Sequence, residues 1–160
     1  MDLLDIKKAL SEIEAKHHVE LGIPWSPTND GSPHIEKSED IYSYVITERG
    51  EELSRRETRD PTELLFWIVR DRTKRTAIDW ELHHRKPGLD PRRLIFEKHI
   101  EILHAISPTW GAAQKNEYDV LVSKYPFDDK AVARADRAAS LRSKGISPEK
   151  AWELAVMEIP

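Results

Sequence analysis

The sequence predicts an α+β fold: an N-terminal helix, a small antiparallel β-meander, then a helical bundle built on a central helical hairpin. Three observations lead there. Apolar residues first recur at spacings of three and four, at Leu3, Ile6, Leu10 and Ile13. Through Ile41 to Glu48 they alternate instead with polar residues. Two long stretches beginning at Pro61 and Pro91 then return to the helical period, with Pro87-Gly88 breaking the run between them.

The first helix is read from Asp2 to about Leu21. Its acids come early and His17-His18 late, as the helix dipole prefers, and Gly22 is the expected stop. Ile23 to Pro33 holds three prolines and reads as a loop in which Trp25 either plugs the rim of the core or meets a partner. Strands follow at His34–Lys37, Ile41–Glu48 and Glu51–Thr58, with turns at Ser38-Glu39-Asp40 and Arg49-Gly50. In the middle strand Tyr42, Tyr44 and Ile46 alternate with Ser43, Val45 and Thr47, so one face is expected under helices and the other partly wet. The third strand is nearly all charge, which suits a sheet edge, and Glu48, Glu51 and Glu52 form an acidic lip.

The central hairpin starts at Pro61 behind the cap Asp60 and resumes at Pro91 behind Asp90, ending at Ser107-Pro108. On a helical wheel Leu64, Trp67, Ile68, Ile78 and Leu82 share an arc with Asp71 and Arg75. In the second helix Ile95, Phe96, Ile102, Leu103 and Ile106 form one face, with Arg92 and His99 near its centre. Buried charge needs partners, so the expectation is a polar seam between the helices, with Asp71, Asp79, Glu81, Asp90 and Glu97 serving Arg75, Arg85, Arg92 and Arg93.

A further helix opens at Ser107-Pro108 and runs to about Lys124, with Trp110, Ala113, Glu117, Val120, Leu121 and Tyr125 at helical spacing. Asp128 to Lys144 is Ala-rich and helical, Gly145 is its cap, and Ser147-Pro148-Glu149 starts a last helix. Residues 1–129 are read as one α+β domain and 130–160 as a helical pair that docks on it or makes a homodimer contact.

The composition narrows the class. The chain has 160 residues, 39% apolar with five Trp, enough for a real core despite a mean hydropathy of −0.63. It has no cysteine, no apolar run near the roughly 20 residues of a membrane span, and an N-terminus, MDLLDIKK, too acidic for a secretory signal. A cytoplasmic protein is expected. Of the net charge of −4, the acidic surplus lies in the first 60 residues, with 14 acids against 8 bases. That argues against nucleic acid as a partner and for a basic protein.

No catalytic motif appears: there is no nucleophile elbow, no phosphate-binding Gly loop and no Rossmann fingerprint. Glu81-Leu82-His83-His84 and Glu101-Ile102-Leu103-His104 each have Glu-x-x-His spacing. In an antiparallel hairpin the two pairs fall about 10 Å apart along the helices, too far for one metal centre, so no metal and no cofactor is expected. Two rival classes remain: a small enzyme using a carboxylate and histidine cluster that includes His99, and a nucleic-acid-binding regulatory module using the basic residues of the hairpin.

The runs YSYVITERGEELSRRET, PTELLFWIVRD, DWELHHRKPGLDPRRLIFEKHIEILHAISPTW and KYPFDD resemble the immunity-protein-63 family of bacterial polymorphic toxin systems, over roughly Pro33 to Asp129. The matching positions are Trp67, Glu81, Leu82, Arg85, Asp90, Arg92, Arg93, Phe96, Trp110 and Pro126-Phe127-Asp128-Asp129. The resemblance implies a non-enzymatic cytoplasmic protein that binds and neutralises a cognate toxin. Candidate contact residues are Trp25, Glu48, Glu51, Glu52 and His83, while Glu81, Arg85, Asp90, Arg92 and Arg93 either shape that surface or enter it.

Overall fold

A reciprocal capping box opens the first helix, α1 (Leu3–His17), in the computed structural model, which describes residues 1–160. Asp2 accepts from the Asp5 N–H and Asp5 from the Asp2 N–H, both at 2.9 Å. The helix ends earlier than Leu21. His18 takes the left-handed conformation (φ 54°), and the Glu14 carboxylate accepts from the Leu21 N–H at 2.7 Å. Val19, Leu21 and Ile23 then run into the core as irregular backbone, so Gly22 is not the stop.

The meander forms as β1 (Asp30–Ser38), β2 (Ile41–Glu48) and β3 (Glu51–Thr58), antiparallel in the order β1-β2-β3. β1 begins before the expected His34, and Pro33 pairs with Ile46 beside a register shift on an edge strand, where a missing N–H is tolerated. Asp30 anchors that start by accepting from the Thr28 hydroxyl at 2.5 Å and the Ser32 N–H at 2.9 Å. Arg49 and Gly50 both have positive φ, the pattern of a tight two-residue hairpin.

The remaining helices are α2 (Pro61–His84), α3 (Pro91–Ile106), α4 (Pro108–Lys124), α5 (Ala131–Ser143) and α6 (Pro148–Glu158). Asp60, Asp90 and Ser147 cap α2, α3 and α6 as the sequence predicts. The fold is therefore α+β with six helices and three strands. No helix is long and apolar enough to cross a membrane. One core joins Ile6 and Leu10 of α1, Ile35, Tyr42 and Tyr44 of the sheet, Leu64, Ile68 and Val69 of α2, and Leu103 of α3. A second, separate core lies inside the last helical pair: Ala138, Leu141, Ala151 and Ala155.

The buried stripes differ from the wheel. On α2 burial follows Leu64, Ile68, Val69, Thr73, Ala77 and Glu81, leaving Ile78 and Leu82 outside, and the helix packs on both the sheet and α3. On α4 the inner face is Gly111, Gln114 and Tyr118, while Val120, Leu121 and Tyr125 face out. Close approach explains the shift: a Cβ added at Gly111 would lie 2.6 Å from the His104 Cβ of α3. Trp110 does pack on the hairpin, with its ring centroid 5.7 Å from that of Phe66.

The expected ionic seam between α2 and α3 does not form. Asp71 turns to the sheet, accepting from the Tyr44 hydroxyl at 3.0 Å and pairing with Arg56 at 3.1 Å, and Glu81 pairs within its own helix. The polar link between α2 and α3 is His99. It donates Nε2–H to the Arg70 carbonyl at 2.9 Å and accepts from the Tyr118 hydroxyl of α4 at Nδ1, at 2.6 Å.

Candidate partner-binding surface

Four separate groups hold the residues singled out by sequence, and no hydrogen bond or ion pair links one group to another. Trp25 is half-buried against the main core with Lys7 Nζ 4.6 Å from its ring centroid, so it sits at the rim. Glu81 is 1% exposed and receives both of its hydrogen bonds from Arg85, each at 3.0 Å, one turn on. His83 is exposed and donates Nδ1–H to the Asp79 carbonyl at 2.8 Å. Its neighbour His84 stacks on Trp80, with ring centroids 4.2 Å apart, and Glu81 is turned inward, so the two ends of that Glu-x-x-His run do not converge.

The third group is a clamp at the start of α3. Arg92 grips Asp90 at 2.7 to 3.1 Å and donates to the carbonyls of Tyr125 and Pro126, while Arg93 pairs with Asp129 at 2.8 Å. Asp90 in turn accepts from the Asp128 N–H at 2.9 Å. Burial pushes the Asp90 carboxyl up, but the bonds from Arg92 and the backbone outweigh it and hold it at about 2. These residues fasten α3 to the loop between α4 and α5.

The fourth group lies on the sheet. Glu48 and Glu51 face each other across the β2–β3 turn and both are exposed. Glu52 is held by Arg55 at 2.8 Å, and Arg55 also reaches over the sheet to Glu36 of β1 at 2.9 Å. Tyr42, Tyr44 and Ile35 point into the core, so His34, Glu36, Ser43, Val45, Arg55 and Glu57 occupy the opposite face, where no helix is laid. Its centre is drier than the sequence suggests. Val45 and His34 are 0% exposed.

A register shift between Ile46 and Thr47 makes Leu53 an extra residue of β3, 57% exposed and the one apolar side chain in that strand. Sequence reasoning passed over His34, Glu36, Leu53 and Arg55. The alternation through β1 and β2 placed the first two on the open face, but the shift that re-aims Leu53 had no local signature.

The model of the family described as immunity protein 63 matches residues 38–120, just over half of the chain. The chain belongs to the immunity protein 63 family. The family match takes in β2, β3, α2, α3 and α4 almost to its end. It is narrower than the resemblance over Pro33 to Asp129, and the Pro126-Phe127-Asp128-Asp129 run falls outside it. No curated protein and no solved structure matches this member of the immunity protein 63 family.

Proposed function

We propose that the chain is a bacterial immunity protein that works in the cytoplasm of the producing cell, binding a cognate toxin domain and blocking it without chemistry of its own. Family membership supports the general role. The observation that carries the contact is the acidic end of the sheet, where Glu48 and Glu51 stand exposed and Glu51 has no ion-pair partner. Such a surface draws in a basic partner. The clamp formed by Asp90, Arg92 and Arg93 shapes the scaffold, as does the Glu81–Arg85 pair. Trp25 and His83 supply rim contacts.

The test is co-expression with the toxin domain encoded beside this gene. Rescue of growth together with recovery of a stable one-to-one complex is expected, and rescue without any complex would sink the reading. The exposed Trp152, Val156 and Met157 of α6 are the face a homodimer would use, which sedimentation velocity checks.

A further inference from the structure

We infer that the helix-free face of the sheet, centred on Arg55 and anchored by Leu53, is where the toxin docks, and that the toxin presents a cationic, phosphate-binding surface to it. This rests on the immunity reading above. The face carries Glu36, Glu52 and Glu57 around a single cation, Arg55, whose guanidinium lies 2.9, 2.8 and 3.8 Å from the three carboxylates. Hydrogen bonds from Arg55 first, and then from His34, keep Glu36 below the usual carboxylate range, so the face remains anionic.

Charge alone does not make a site, and two further features mark this face. His34 is fully buried in this face and donates Nε2–H to Glu36 at 3.1 Å. Its Nδ1 is then a lone-pair acceptor, and it has no partner. Thr47, two residues along β2 from Val45 on the same face, likewise leaves its buried Oγ without one. Buried polar atoms are normally paired, so two orphans on one open face mark groups that a ligand completes. An acceptor at His34 needs a donor, and Lys and Arg side chains offer donors only.

The second feature is Leu53. An exposed apolar side chain inserted next to Glu52 and two residues from Arg55 gives the charged ring an apolar neighbour, the make-up of a contact centre with a polar rim. Cations arriving at Glu36 and Glu57 compete with Arg55 for their carboxylates. A surface built to receive phosphates carries the complementary positive charge, which makes a nuclease or another nucleic-acid-directed enzyme the class of toxin this face fits.

The experiment measures association of the full chain with the catalytically inactivated toxin domain encoded beside it, at low and moderate salt, with melting temperatures as controls. The double substitution Glu36→Gln, Glu57→Gln should slow association about tenfold at low salt and flatten its salt dependence. Arg55→Gln, which removes three internal ion pairs, should nevertheless bind at least as fast as the parent. Leu53→Ser, at an exposed position, should speed dissociation with the fold intact. Unchanged rates for Leu53→Ser and the double glutamine variant, with a parent complex that forms normally, would overturn this face and leave the immunity role standing. A parent chain that neither binds nor protects would overturn both.

Discussion

The Tyr118 hydroxyl on α4 donates to Nδ1 of His99 on α3 at 2.6 Å, and the opposite ring nitrogen is committed to the Arg70 carbonyl of α2. One imidazole thus ties three helices. Burial pushes its pKa down to about 4 from the ordinary 6.5.

The unfolded chain takes up a proton near 6.5 where the folded one resists to about 4, so this stabilisation is fully present above 6.5 and drains away as pH falls between those values. The loss amounts to about 3 kcal/mol. Urea denaturation at steps from pH 7 to 4 should show the decline, and His99→Gln should flatten it. Asp90 acts in a separate window, its contribution present above 3.8 and lost as pH falls to about 2.

Gly111→Ala is a contest between two effects. Alanine gains about 1 kcal/mol of helix propensity over glycine. A methyl group set 2.6 Å from the His104 Cβ must push α3 and α4 apart, and overpacking of that kind costs about 1–3 kcal/mol. Net destabilisation is expected, and a higher melting temperature for the variant would show that the helices separate freely.

Arg92→Ala leaves Asp90, 5% exposed, without its guanidinium, and stranding a buried charge costs about 3–5 kcal/mol. Denaturation should register that loss. Below the variant's melting temperature, protection against the toxin should persist. Full stability with abolished protection would make Arg92 a contact residue instead of a fastener.

Glu51→Gln should move two properties in opposite directions. It relieves the like-charge pairing with Glu48 across the turn, so the melting temperature should rise slightly. It also weakens the acidic lip, so toxin association should slow. Faster binding by the more stable variant would exclude the lip from the encounter.

The order of elements was legible because each boundary carries its own chemistry: Asp60-Pro61, Asp90-Pro91, Ser107-Pro108 and Ser147-Pro148 are start signals that act within a few residues. Which side of a helix is buried depends on what lies beside it, and that is not local. Ile78 and Leu82 satisfy a helical wheel, yet no element covers them, while Gly111 and Gln114 are inside because α3 approaches closely. The acidic lip was legible as composition. The cluster on the open face was not, since Glu36 and Arg55 become neighbours only through strand pairing across β2.

Because the last helical pair keeps its own four apolar residues, heat need not undo the molecule in a single cooperative event. Trp152 sits in that pair and the other four indoles, at 25, 67, 80 and 110, in the main body. With Trp152 changed to Phe, fluorescence follows the body alone while far-ultraviolet dichroism still records both, and the gap between the two melting curves reads out how loosely the tail is coupled.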